Sequence, residues 1–258
     1  FILLLSGASF LGFAIAEYLS GGSAPGALAF GFRSFLSVFF AWAIGREIDP
    51  DRPLTAGLAA VGQIIVIQFI DVPSLLLSFW ALFSFRVLNR TTGLKAGIVD
   101  TILAAGISAW LGYQLSWVIP AAAGVIFLAD ALMKEPNRRH IVPGALLAGE
   151  AAYFLTRNPT PWMGFVNYPA KLGLVIVISV TFFSVIYTSK DVTSYADETE
   201  KPLAPGRIQL TQLIALLVAI LFPLWAGVQS FHQSATFWSV LGGSSLVHIV
   251  NRFIIALV

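Results

Sequence analysis

The sequence has no cysteine, few charges and no hydrophilic stretch long enough to form a soluble domain. Without cysteine, disulfides and thiolate-bound metals are excluded, and the redox compartment cannot be read. Charged residues make up 11% of the 258, against about 25% in a soluble domain. The three histidines, His140, His232 and His248, include no pair at helical spacing, so a haem or zinc site has no support. No phosphate-cradling glycine motif precedes a helix, and no Ser/His/Asp nucleophile signature is present. The net charge of +2 and pI near 9.0 call for no nucleic acid. A membrane protein with positive cytoplasmic loops acquires that balance anyway.

What is present is apolar. Hydrophobic residues are 57% of the chain and the mean hydropathy is +0.84. The apolar runs are continuous and often near the ~20 residues a helix needs to cross the hydrocarbon. A transmembrane barrel would show alternating ten-residue patterns instead. The expectation is an all-α, polytopic transmembrane bundle occupying residues 1–258 as one domain. Helices are expected near 1–19, 26–45, 54–70, 73–88, 96–114, 117–133, 142–156, 169–188, 208–229 and 235–258. The run Phe1 to Leu19 has no charged residues ahead of its apolar stretch and reads as a helix, not a signal peptide. Gly21-Gly22-Ser23-Ala24-Pro25 and Asp71-Val72-Pro73 punctuate the first turns. Pro161 and Pro169 bracket an aromatic loop, Trp162, Phe165 and Tyr168, of headgroup-level character. Trp80, Trp110, Trp117, Trp225 and Trp238 also fall mostly near helix ends, where tryptophan belts are expected.

Loops 46–53, 86–95, 134–141 and 190–207 carry 11 of the 15 Lys and Arg. By the positive-inside rule these four loops are cytoplasmic. The lipid bilayer is then the first partner, and a prokaryotic inner membrane the expected location. Each basic loop leads into a helix start rich in proline, glycine or small residues, so the chain reads as hairpins opening at one face. Repeats of this kind often flank a site in membrane folds, although proline and glycine punctuate any membrane-entering helix.

Two loops are acidic as well as basic. Arg46-Glu47-Ile48-Asp49-Pro50-Asp51-Arg52-Pro53 packs three carboxylates and two arginines into eight residues. Lys190, Asp191, Asp197, Glu198, Glu200, Lys201 and Arg207 form a second cluster after the eighth helix. Carboxylates can hold Mg²⁺ together with substrate phosphates, and arginines can take the phosphates. Charge-balanced, solvated loops that fix topology would look the same.

The run from Arg46 to Gly57 resembles the first aspartate-rich loop of the UbiA-type prenyltransferases, and Asp197 to Leu210 resembles the tail of such a loop again. The likeness covers about 30 residues and the topology. Ala43, Ile44 and Gly45 stand where the family's leading Asn and first Asp would be, and the second acidic cluster lies one hairpin late. The resemblance implies transfer of a prenyl group from a Mg²⁺-bound prenyl diphosphate. It implies Asp49, Asp51, Asp191 and Asp197 as metal carboxylates, with Arg46, Arg52, Lys201 and Arg207 on the diphosphate. The departures leave open a non-catalytic subunit bound to other membrane subunits.

Ionisable residues within the apolar runs suggest a third reading, a small-solute transporter. A charge in hydrocarbon costs about 2.5–3.5 kcal/mol on insertion scales and marks a site by default. Arg33 and Glu150 are the candidates, with Glu17 and Asp71 as partners for Arg33. Asp100, Asp130 and Arg252, near helix ends, read as interhelical pairing or snorkelling.

Overall fold

The computed structural model describes residues 1–157 and 167–257. Pro161, Trp162 and Phe165 of the expected aromatic loop lie outside the described residues. The described chain is all helical in its regular structure. Ten long helices are α1 (Ile2–Leu19), α2 (Ala24–Ile48), α3 (Pro53–Ile70), α4 (Leu75–Asn89), α5 (Ile98–Gln114), α6 (Val118–Leu132), α7 (Ile141–Arg157), α8 (Pro169–Thr188), α9 (Pro205–Ala226) and α11 (Ala235–Leu257). One short helix, α10 (Val228–Gln233), and a 3₁₀ turn at Arg138–His140 complete the list.

Local chemistry sets the ends. Ser23 and Ser74 cap α2 and α4 by accepting the amides of Gly26 at 3.2 Å and Leu77 at 3.3 Å. Asp100 Oδ2 accepts the Gly97 amide at 2.9 Å and closes the start of α5. Proline opens α3, α8 and α9, where its missing N–H costs nothing. The expected ninth helix ends early. Pro223 and Gly227, the latter at φ 85°, turn the chain into α10 before α11 begins. At the other end α2 runs three residues past its expected limit, carrying Glu47 and Ile48 into helix.

Helices α1, α2, α3, α8 and α9 are each long and apolar enough to cross a membrane. The chain is a multi-pass integral membrane protein. Helix α9 lies largely inside the bundle, burying eleven residues from Arg207 to Pro223 and leaving Leu213 and Leu217 exposed on one face, and touches α2, α4, α6, α8 and α11. Helix α8 buries only Val175, Phe182 and Val185, leaving most of its surface for lipid. One core cluster runs from Ile44 and Ile48 through Trp80, Phe85, Ile119 and Phe127 to Phe182, Phe222 and Phe237. Trp80 belongs to it: the residue is 1% exposed and its indole N–H donates to Ser108 Oγ at 2.8 Å. Trp238, at 4%, is also core, so these two are not belt residues.

Lipid tails offer no hydrophobic gain between helices, so close packing must hold them together. A methyl group on Gly45 would stand 2.9 Å from Ala56 Cα, and one on Gly243 would stand 2.9 Å from the Ala59 nitrogen. Both neighbours are backbone and cannot yield. At Gly242 the nearest atom is Ile178 Cδ1, at an ordinary 3.6 Å. Gly243→Val is expected to destabilise the detergent-solubilised chain by about 1–3 kcal/mol, while Gly242→Ala leaves it within about 0.5 kcal/mol. Unfolding midpoints of the two variants measure the difference.

Candidate functional site

The four basic loops meet at one end of the bundle. The segment after α4 and the 190–204 segment pair through backbone: Asp197 N–H donates to Thr91 O at 2.8 Å and Glu198 N–H to Thr92 O at 3.3 Å. Within 190–204 the chain doubles back, with Ala196 N–H on Lys201 O and Leu203 N–H on Ser194 O. Gly93 makes the first loop possible. Its φ is 85°, and a methyl group there would run into the Thr199 side chain.

Asp130, near the end of α6, sits at the centre of this end. Its side chain is 0% exposed, as is that of His140. Oδ1 accepts Arg90 Nε at 2.9 Å, Arg90 Nη2 at 2.7 Å, and Arg207 Nη1. Oδ2 lies 2.9 Å from His140 Nδ1. The same arginines fasten backbone: Arg207 donates to Leu88 O at 2.9 Å and Lys134 O at 3.0 Å, and Arg90 to Glu135 O at 2.9 Å. One carboxylate thus ties α4, α6, α9 and the 133–140 segment together. Two guanidiniums converge on that one carboxylate. The nearest other acid, Glu135, is 4.0 Å from Arg90 and 58% exposed.

A pocket of about 130 Å³ opens beside the arginines. Arg90, Lys134, Lys201 and Arg207 line it, with Glu135 as the one acid in its wall. Arg90 at φ 54°, Gly93 at φ 85° and Glu135 at φ 60° all hold left-handed backbone in this wall. Such conformations cost about 1–3 kcal/mol each for non-glycine residues and persist where surroundings enforce them.

Next to it lies a wider cleft of about 350 Å³ that includes Trp42, Arg46, Arg86, Tyr195 and Asp197. Arg86 donates to the buried Glu47 at 2.9 Å, and Thr91 adds a hydroxyl at 3.0 Å. Asn89 donates to Glu47 O at 2.8 Å and accepts the Thr211 hydroxyl at 2.6 Å, so the α2 terminus is bonded to α4 and α9.

The structure separates the four expected metal carboxylates by role. Asp49 is 3% exposed. It accepts Thr55 Oγ1 at 2.8 Å, Ser244 Oγ at 3.3 Å and Arg52 Nη1 at 3.4 Å. Burial pushes its carboxyl above the ordinary value, and Arg52 pulls back against that. Asp51 accepts the Thr193 amide at 3.0 Å, the Ser194 amide at 2.8 Å and the Ser194 hydroxyl, so it fastens the 190–204 segment to the end of α2. Partial burial raises the Asp51 carboxyl, but the Ser194 and Thr193 donors outweigh it and hold it below its ordinary 3.8. Asp191 and Asp197 are exposed. Among the described residues no group of three or more His, Asp or Glu is placed to hold a metal ion. With protein donors already on their oxygens, Asp49 and Asp51 as arranged do not fit a Mg²⁺ site.

Of the expected diphosphate residues, Lys201 and Arg207 share the pocket, Arg46 lines the neighbouring cleft, and Arg52 pairs with Asp49. Arg33 lies at the opposite end of the bundle, in a cleft of about 380 Å³ with Asp71, His232 and Gln233. Among the described residues it has no ion pair within 4.0 Å, with Glu17, Asp71 or any other acid. Glu150 is half-buried on α7, against Gly112 of α5. Asp130, read from the sequence as interhelical pairing or snorkelling, pairs across helices with Arg90 and Arg207. Nothing in the spacing marked Arg90 and His140 as its partners, because they lie 40 and 10 residues away along the chain.

No family model, curated protein or solved structure matches the chain.

Asp130→Ala would leave two guanidiniums buried without their carboxylate and is expected to cost about 3–5 kcal/mol, read as a drop in unfolding midpoint. Asp51 gives a pH signature. Its folded pKa is below the ordinary value, so its contribution is complete above about pH 4 and is lost as pH falls through the depressed folded value. Amide protection at Thr193 and Ser194, taken against the intrinsic exchange rate at each pH, should be high at pH 5 and fall on acidification. Asp51→Ala should abolish it at both.

Proposed function

We propose that this membrane protein binds a phosphate-bearing lipid at its basic end, with an isoprenoid diphosphate as the ligand class that the loop resemblance favours. The reading is carried by one observation, the excess of positive charge around Asp130. Two buried arginines meet a single buried carboxylate, and Lys134 and Lys201 face the same pocket. A buried cationic excess is costly unless an anion joins it. Arginine forks and lysine point charges are the groups that take phosphate. The adjoining cleft adds Arg46 beside Trp42, one helical turn back along α2. A headgroup held among the loops would therefore have an aromatic side chain leading toward the apolar helices.

The finer readings divide on the aspartates. Contact between Asp51 and Ser194 ties the first resembling loop to the segment that leads into the second resembling run, Asp197 to Leu210. That favours prenyl diphosphate as ligand. Engagement of Asp49 and Asp51 by protein donors favours binding without Mg²⁺-dependent transfer, in a protein working as a non-catalytic subunit of a larger assembly. The basic loops then face the cytoplasm of a prokaryotic inner membrane, in line with the positive-inside rule.

Purified full-length chain is titrated with farnesyl diphosphate by calorimetry, with and without Mg²⁺. Salt-sensitive binding is expected, weakened about tenfold by Lys134→Gln with Lys201→Gln, a loss of about 1.4 kcal/mol. Binding that is absent, or indifferent to both lysines, would sink the proposal. Release of diphosphate with Mg²⁺, abolished by Asp49→Ala, would move the protein to the transferase reading.

A further inference from the structure

The end of the bundle away from the basic loops holds the recess of about 380 Å³ that contains Arg33. The turn from α3 to α4, helix α10 and Arg33 of α2 form its wall. Arg33 is the tenth residue of α2, so about 13 Å of helix extends past it to Ala24. Ile70, the last residue of α3, lines the same recess. The α1–α2 hairpin therefore stands beyond the α3–α4 turn, and the recess occupies the step between them. A guanidinium set back from a helix end in an apolar segment is expensive unless something compensates its charge.

Arg33 and Asp71 line this recess together and do not pair. Residues 158–166 contain no acid that could serve Arg33 instead. Asp71 is unusual in its backbone, which at φ 96° and ψ 175° lies in a region essentially reserved for glycine. Its Oδ1 accepts the neighbouring Val72 amide at 2.6 Å, while Oδ2 has no partner among the described residues. Glycine would make the same turn without strain, so the turn alone does not account for a carboxylate here. The turn is held in place by the Ser74 amide, which donates to Gln233 O at 3.2 Å. The rest of the wall is polar and unengaged. Among the described residues the Gln229 and Gln233 side chains have no hydrogen bond within the fold. Lys171 Nζ lies 3.0 Å from His232 Nε2. Lysine has donors only, so Nε2 accepts and Nδ1 carries the ring proton.

We propose that this recess binds a zwitterion, a primary ammonium joined by a short chain to an oxyanion, with the oxyanion on Arg33 and the ammonium on Asp71. A simple anion would leave Asp71 beside it and be repelled, and a simple cation would meet Arg33 in the same way. A ligand carrying both charges compensates both side chains at once. Arginine suits the oxyanion because its fork can donate two parallel N–H groups. A primary ammonium brings three donors. The Asp71 carboxylate and the two glutamine carbonyls are acceptors for them, and no phenyl or indole ring lines the recess to favour a quaternary nitrogen. The group can belong to an ethanolamine lipid headgroup or to a free small zwitterion. The site is independent of the phosphate pocket at the other end and does not rest on that reading.

O-phosphoethanolamine is titrated by calorimetry into the purified chain carrying Lys134→Gln and Lys201→Gln, which takes the basic pocket out of the measurement. Saturable binding is expected. Phosphocholine, which has the phosphate but no N–H, should bind about tenfold more weakly, as should ethanolamine alone. Arg33→Gln should weaken O-phosphoethanolamine about tenfold. Asp71→Asn should do the same and remove the preference over phosphocholine. Asparagine tolerates positive φ and can still accept the Val72 amide, so this variant keeps the turn. If Arg33→Gln does not fold, Asp71→Asn decides the matter. Binding that is absent, equal for phosphocholine, or unchanged by Asp71→Asn overturns the proposal. Repeating the titration in phosphatidylethanolamine and phosphatidylglycerol nanodiscs separates the sources. Competition only in phosphatidylethanolamine identifies the lipid headgroup, and equal binding in both identifies the free zwitterion.

Discussion

The fold's polar end depends on one carboxylate. Asp130 receives two guanidiniums and a histidine in a place that water does not reach. Burying a charge costs several kcal/mol even after relaxation, and only tight, multiple pairing returns it. That requirement fixes the arrangement of everything that touches it. Arg90 must leave α4 in a left-handed turn to reach Asp130, and Arg207 must begin α9 at the same height. The carbonyls of Leu88, Lys134 and Glu135 take further N–H groups, so the end of α4 and the 133–140 segment are set by two side chains.

A second constraint comes from the membrane. Helices there gain little from apolar contact, because lipid is as apolar as leucine. The bundle therefore uses glycine against backbone, as at Gly45 and Gly243, to bring α2, α3 and α11 together. Polar contacts add direction at both ends of that seam. Gln63 donates to Ser37 at 2.9 Å between α3 and α2, and Asp49 accepts from Ser244 of α11. The result is a rigid scaffold whose two ends differ in chemistry. One end gathers arginine and lysine around a pocket, and the other holds an arginine and an aspartate in one recess without pairing them.

The same physics explains why the loop aspartates are poor guides to a metal. A carboxylate exposed in a flexible loop keeps its oxygens for a cation. Asp49 and Asp51 sit instead where the end of α2 meets α3, α11 and the 190–204 segment, and each has been recruited to hold those parts together. A spacing that resembles a catalytic motif can be maintained by structure alone.

The sequence by itself determined the helical class, ten long helices close to their observed bounds, and the gathering of basic loops at one end. Those follow from the length of apolar runs and from proline and glycine punctuation, which act within a few residues. It also pointed to Lys201 and Arg207 as neighbours. Only the tertiary structure decided between pairing and snorkelling for Asp130 and named its partners, and showed that Trp80 is core, that Glu47 is buried, and that Gly227 inserts a short tenth helix. It also decided which carboxylates are engaged, Asp49, Asp51 and Asp130 among them. The pairings and the burial depend on residues far apart in the chain, such as Asp130 with Arg207 or Asp49 with Ser244. Burial and pairing are properties of what the folded chain brings alongside, and no local pattern encodes them.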